Sequence, residues 1–321
     1  MEKYIKKRYL TLLLIILSIS SLFIGVSSLR ISDLLALKPD KVQLLLISRV
    51  PRLIAIIVAG AGLSVSGLIM QQISRNKFVS PTTAATADFA KLGVLVSMMW
   101  LGGTSQVTRM LIAFVFALGG TVIFMTMMKR IQVKNIIFVP LVGMMLGKVI
   151  GSITAYFSYK YDLVQSITSF LEGNLSVIMS GNYEMLYLSI PVVLVGFFYA
   201  NKFTIAGMGE EFAINLGLNY KTVVNIGLAI VALVTAVTLI TVGDIPFLGL
   251  IIPNIVSIYV GDNLKNSLYH TALLGPIFLL ICDILGRLII YPFEVSIGMM
   301  VGVIGGTLFL IMILRRAGQN A

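Results

Sequence analysis

The chain holds one histidine, His270, and one cysteine, Cys282, and this scarcity limits the catalysis it can perform. A zinc protease of the H-E-x-x-H type needs two imidazoles on one helix face. A serine protease within a membrane needs a base beside its nucleophile, and Ser64 and Ser66 have no histidine to serve them. One thiol makes neither an internal disulfide nor a multi-cysteine metal site, so Cys282 reads as a packed apolar residue. The nearest approach to a phosphate-binding loop, Gly143-Met144-Met145-Leu146-Gly147-Lys148-Val149, is one residue short, lacks the closing Ser or Thr and lies in an apolar run. The chain is expected to be no enzyme, to bind no ATP and to hold no metal.

The remaining charged and small residues suit transport better than catalysis. Lys148 falls near the middle of an apolar run, where an ionisable group is a functional candidate by default. It meets either an anionic cargo along an aqueous path or a carboxylate from another helix. Asp88 and Lys91 stand at the inner end of a run, as a local pair or an interface. Asp283 and Arg287, spaced i,i+4, have the favourable order for a helical ion pair. Arg49-Val50-Pro51-Arg52 opens another run, with Pro at a tolerated helix start. With Arg287 on the same side, these guanidinium groups suit either lipid headgroups or carboxylates of a docked protein. Gly143, Gly147 and Gly151 share a face at four-residue spacing, as do Gly298, Gly302 and Gly306. Such faces allow close backbone approach, for static packing or for helices that slide beside a path.

One stretch, Gly207 to Val223, is polar between two apolar runs and carries Glu210 and Glu211. With no nucleotide site in the chain, energy has to arrive from elsewhere, and this inner segment is the place for another protein to push.

These residues must be positioned by membrane helices. Of 321 residues, 58% are hydrophobic and 12% charged, with mean hydropathy +1.00, whereas soluble domains carry about a quarter charged. Apolar runs of about 20 residues recur, each satisfying its own backbone as a helix; a β-barrel would show alternating segments of roughly 10 residues instead. The expected fold is an all-α polytopic membrane protein with about ten transmembrane helices, in one transmembrane domain over 1–321. The spans are Tyr9–Val26, Leu53–Ile73, Ala84–Leu101, Thr108–Met128, Ile136–Phe157, Met185–Ala200, Val223–Gly243, Phe247–Val260, Leu268–Ile290 and Ser296–Leu314. Pro253 is expected to bend or break the eighth. The N-terminal basic cluster and first run resemble a signal peptide but are too long and lack a cleavage site, so the run is read as a retained helix. Most of the 24 Lys and Arg fall inside if both termini are cytoplasmic. The net charge of +11 then reflects inner loops rather than nucleic acid. Arg30, Lys38, Lys41, Arg49 and Arg52 crowd the outer side against that rule. The long outer loop Ser158–Glu184 contains an amphipathic segment at Leu163–Leu171, and Trp100 sits at an outer helix end.

Taken together, the motifs resemble the FecCD-type permeases of bacterial ABC importers for iron–siderophores, haem or cobalamin. The resemblance rests on Arg49-Val50-Pro51-Arg52 with Gly60–Gly67; Gln71–Pro81, where R-N-K-F-V-S-P stands for R-N-P-L-A-x-P; Gly209–Leu218; Gly243–Pro253; Asp283–Arg287; and the glycine-rich last run. It is similar above all to the Gram-positive branch that handles catecholate siderophores. The resemblance implies a ten-helix subunit of the bacterial cell membrane, paired with a second permease, either a copy or a paralogue. It implies two ATPase subunits that bind ATP and Mg, an extracytoplasmic binding protein and an iron chelate as cargo. Arg49, Arg52 and Arg287 would receive acidic knobs of the binding protein. Gly209, Glu210, Glu211, Ala213, Leu216 and Gly217 would form the ATPase-coupling segment. Gly143, Gly147, Lys148, Gly151, Gly298, Gly302 and Gly306 would lie at the path between the fifth and tenth helices.

Four departures stand out. Pro253-Asn254-Ile255-Val256-Ser257 replaces P-H-x-x-R, Lys77 replaces a proline, Asp88 falls where small or Ser residues are common, and Lys148 is also unusual. An ion-coupled secondary transporter is the other class considered; it would need paired intramembrane carboxylates or broken helices at mid-depth.

Overall fold

The computed structural model describes residues 7–25, 39–102, 105–130 and 138–319. Arg30, Lys38 and Lys134 lie outside them, as do Lys3 and Lys6. The described chain is helical, with no strand among the described residues beyond one isolated bridge between Glu172 and Asp244. In order come α1 (Lys7–Phe23), α2 (Pro39–Leu44), α3 (Val50–Ile73), α4 (Thr86–Trp100), α5 (Gln106–Arg130), α6 (Phe138–Lys160) and α7 (Val164–Leu171). They are followed by α8 (Ser189–Phe198), α9 (Ala200–Gly207), α10 (Glu210–Asn215), α11 (Tyr220–Thr241), α12 (Leu248–Val260), α13 (Leu264–Leu288) and α14 (Ile297–Gln319). Within the described residues each expected apolar run is largely helical, and α7 forms at the amphipathic segment of the long loop; Val26, Ile136 and Ile137 lie outside the described residues.

Among the described residues, five helical stretches are long and apolar enough to cross a membrane: Pro39–Ile73, Gln106–Arg130, Phe138–Lys160, Tyr220–Thr241 and Leu264–Leu288. Glu184–Phe198 with Ala200–Gly207 makes a sixth if the pair counts as one span, and Leu248–Val260 and Ile297–Met312 are shorter apolar helices.

α3 and α11 are the most enclosed of these helices, with α13 beside them. Lipid tails are as apolar as side chains, so such helices associate through close packing rather than through the hydrophobic effect. Here glycine provides the closeness. A Cβ on Gly67 would lie 1.9 Å from the carbonyl oxygen of Gly249 on α12, and one on Gly275 of α13 would lie 2.3 Å from the carbonyl oxygen of Gly60 on α3. α5, α6 and α14 are more peripheral and keep large apolar side chains uncovered.

Two expected boundaries change. Pro51 does not open a helix. α2 runs through a π-helical turn, Leu45–Arg49, into α3 as one helical stretch. Proline has no N–H to offer the carbonyl four residues back, and that carbonyl, on Ile47, accepts instead from the backbone N–H of Ser180 at 2.9 Å. The break falls in the sixth run rather than the eighth. α8 and α9 meet at 61°, which lets Ala200, Phe203 and Ala206 turn inward. α12 stays helical through Pro253.

Candidate functional site

Three clusters gather the charged residues singled out above, and each is made by elements far apart in sequence.

The first cluster, expected on the outer side, joins α1, α3, α13 and the turn before α14. Asp283 and Arg287, each 3% exposed, form the expected i,i+4 pair. Arg52 approaches the other oxygen of Asp283 at 2.6 Å and reaches Glu294 at 2.7 Å. The Arg287 guanidinium also donates to the Ser21 carbonyl at 3.0 Å, the Ile24 carbonyl at 2.6 Å and the Ser21 hydroxyl at 2.6 Å, and Arg49 donates to the same Ile24 carbonyl. Arg49, Arg52 and Arg287 therefore come together, but not as three outward-facing donors. Arg287 is enclosed and fully engaged inside the protein. Arg52 already holds two carboxylates, one of them the partly exposed Glu294. Burying two guanidinium groups is costly unless their charge is met, which explains why Asp283 lies between them.

The second cluster lies between α4, α6 and the turn from α11 to α12. The segment after α3 turns back into the bundle, so that Ala84, Ala85 and Thr86 are fully buried where α4 begins. The first turn of α4, which carries Asp88, is therefore packed against neighbouring elements. Lys91 pairs with Asp88 at 3.8 Å, as the spacing suggested, and more closely with Asp244 at 2.7 Å. Asp88 packs on α6, where a Cβ on Gly147 would stand 2.4 Å from its carboxylate oxygen. Gly143 similarly faces the Thr83 carbonyl. These two glycines make room for the neighbouring backbone and carboxylate. Gly151, by contrast, has nothing within 4 Å and borders a cavity of about 550 Å³ with Asp88, Lys91, Thr154, Ser158 and Tyr159. Lys148, near the middle of the 23-residue α6, lies on its uncovered side and forms no ion pair among the described residues. Its charge acts on the Asp88 carboxylate of α4 without forming a direct ion pair.

Of the three spaced glycines of α14, Gly298 meets backbone and the other two face side chains. Gly298 donates to the Gly173 carbonyl at 3.3 Å, and a Cβ there would lie 2.9 Å from the Asp244 carbonyl oxygen. Gly302 faces Pro246 and Gly306 faces Phe247 at ordinary contact distance. The loop after α7 is tied to the same turn: Asp244 donates to Leu171 at 3.0 Å and Asn174 to Val242 at 3.1 Å. Asp244, which links this junction to Lys91, went unnoticed in the sequence, although an isolated carboxylate between two apolar runs was a usable signal.

The third cluster is the polar inner segment. It is not a loop but the short helix α10, set off by two glycines. Gly209 precedes it at φ +126° and Gly217 follows it at φ +76°, both values that side-chain-bearing residues avoid. The helix ends in a Schellman motif: Gly217 donates to Ile214 at 2.8 Å and Leu218 to Ala213 at 2.9 Å. Glu210 and Glu211 occupy the first turn, where carboxylates oppose the positive end of the helix dipole. Glu210 stands 3.8 Å from Lys129. Only Ala213 is buried; Met208, Phe212, Ile214 and Leu216 are exposed, Leu216 by 59%.

α10 is thus a small helix between two positive-φ glycines, presenting apolar side chains amid polar ones on a chain without a nucleotide motif. The FecCD transport family matches over residues 12–316. The chain belongs to the FecCD transport family. The petrobactin import system permease protein YclN of Bacillus subtilis (strain 168) is 58% identical over 311 residues, covering 97% of this chain and 98% of the relative. The ferric-anguibactin transport system permease protein FatD of Vibrio anguillarum is 38% identical, covering 93% and 95%. In fold, the chain is similar to a metal-chelate type ABC transporter solved in an inward-facing conformation, with TM-score 0.81, 23% identity and coverage of 95% and 97%. The FecCD chain is a multi-pass membrane transport component and not an enzyme.

Proposed function

We propose that this chain is the permease subunit of an ATP-driven importer for ferric siderophores, of the catecholate kind that includes petrobactin. The observation that carries the reading is α10: a rigid, glycine-bounded helix with Phe212, Ile214 and Leu216 exposed, in a FecCD chain close to a petrobactin permease. ATP and Mg belong to two separate ATPase subunits that engage Gly209–Gly217. A second permease subunit completes the path, and an extracytoplasmic binding protein delivers the iron chelate. The single permease domain crosses the membrane about ten times, both termini facing the cytoplasm.

The clusters take roles accordingly. Arg49 and Arg52 receive acidic groups of the binding protein, while Arg287 holds Asp283 and so sets the place of Arg52. Glu294 occupies Arg52 until a carboxylate of the binding protein displaces it. α6 and α14 flank the path, with Lys148 and Gly151 on its side and Gly143, Gly147, Gly298, Gly302 and Gly306 keeping the helices close to their supports.

The test is uptake of radioiron-labelled ferric petrobactin into vesicles carrying the assembled transporter. Uptake should require the ATPase and ATP, and glutamate substitutions at Phe212 and Leu216 should abolish it. Uptake driven by an ion gradient without any ATPase would overturn the reading in favour of a secondary transporter.

A further inference from the structure

Two of the departures from the family pattern, the Asn254/Ser257 replacement and Lys77, meet one another in space at the inner end of the bundle. Lys77 lies on the segment between α3 and α4; Asn254 and Ser257 lie on α12; Asp262 lies in the turn to α13. The Lys77 ammonium donates to the Ser257 hydroxyl at 2.9 Å and stands 2.8 Å from each carboxylate oxygen of Asp262. Ser257 also donates to Asp262. Asn254 donates to the Lys77 carbonyl at 2.7 Å. The position that carries arginine in P-H-x-x-R is thus a serine touched by a lysine from another segment.

The same place adjoins the coupling region. Gln72 donates to the Asp262 backbone carbonyl at 3.2 Å, and a Cβ on Gly207 would lie 2.5 Å from the Gln72 side-chain oxygen. Gln72, Arg75, Lys77, Gly207, Met208 and Asp262 line one cavity of about 450 Å³. A displacement of Gly207–Met208 thereby reaches Asp262 through Gln72, and Lys77 passes it to α12 and to the segment leading into α4.

We infer that Lys77 is a positioning residue for coupled transport: it supplies at Ser257 the cation missing from α12 and, through Asp262, joins the coupling segment to the α12–α13 turn. The side chains of Lys77 and Asp262 are 38% and 59% exposed, and ion pairs at such sites contribute little to stability. Loss of the pair should therefore change coupling without unfolding the protein. A contiguous set of contacts is not itself proof of coupling, so the test has to read coupling directly.

This inference rests on the importer reading, and the experiment separates the two. The transporter, assembled with its ATPase and loaded binding protein, is reconstituted in vesicles, and ATP hydrolysed per ferric petrobactin imported is measured with the melting temperature. For Lys77→Met, import should fall at least about fivefold, the lower end of ordinary coupling between sites, with hydrolysis and melting retained. Adding Ser257→Arg in that background should restore import to within about twofold. Wild-type import by the Lys77→Met variant, a parallel loss of import and melting temperature, or failure of Ser257→Arg to rescue would each overturn the inference. A wild-type complex that hydrolyses ATP but imports no ferric chelate would end the importer reading, and this inference with it.

Discussion

Asp283→Asn is the most informative single change in the first cluster. The carboxylate contacts both Arg52 and Arg287, and it is 3% exposed, so neither water nor salt replaces it readily. Asparagine keeps the volume and removes the charge. Two guanidinium groups then remain with only the partly exposed Glu294 nearby. Breaking a buried pair by removing one partner costs about 3–5 kcal/mol. An unfolding entropy of about 2.1 cal/mol/K per residue over 321 residues gives about 0.7 kcal/mol per degree. The expected loss in melting temperature is therefore about 4–7 °C, read by thermal unfolding in one detergent. α1 should loosen as well, because Arg287 holds the Ser21 and Ile24 carbonyls, and faster proteolysis near residue 24 would report it. A melting temperature within about 1 °C of the wild type would refute the reasoning, since it would mean that the two guanidinium groups are hydrated rather than enclosed.

Other expectations follow from the same contacts. Glu294→Gln frees Arg52 from its exposed carboxylate and should tighten docking of the binding protein about two- to tenfold; unchanged affinity by surface plasmon resonance would remove Arg52 from docking. Gly147→Ala should lower stability by about 1–3 kcal/mol, because the Asp88 carboxylate has to move. Gly151→Ala, facing open space, should stay within about 0.5 kcal/mol, and equal melting temperatures for the two would contradict this packing. Lys148→Met should leave melting unchanged and reduce import of an anionic ferric chelate; undiminished uptake would make Lys148 a bystander.

Much of the fold was legible because membrane helices declare themselves by length and apolarity. The sites were legible unevenly. Asp283 and Arg287 share a helix, so their spacing sufficed. The local Asp88–Lys91 pair was legible for the same reason, but Asp244, the closer partner of Lys91, was not: it lies 153 residues away, and no periodicity in α4 records it. Glycine spacing on α6 marked a close-packed face but not its neighbour. That neighbour proved to be Asp88 and the Thr83 carbonyl, while the Lys148 side chain lies exposed, with its charge acting on Asp88. The bend fell at Tyr199 rather than Pro253 because α12 tolerates its proline whereas Ala200, Phe203 and Ala206 need to turn inward. The partners of Lys77 and Arg52 are separated from them by 185 and 242 residues, beyond any local pattern.

The π-helical turn at Leu45–Arg49 holds one more residue than the α-helical path needs. Each residue of an α-helix advances it by about 100°, so that extra residue fixes the angular phase of Pro39–Leu44 against Val50–Ile73. The Ser180 N–H, seated on the carbonyl that Pro51 leaves open, acts as a pin on this phase. Deleting one residue from Leu45–Arg49 would rotate the outer end of the helix by about a quarter turn and turn its outermost basic side chain, Lys41, away from its present direction. The direction of this end of the helix is thus set by a counting rule, and it is sensitive to insertions and deletions more than to substitutions.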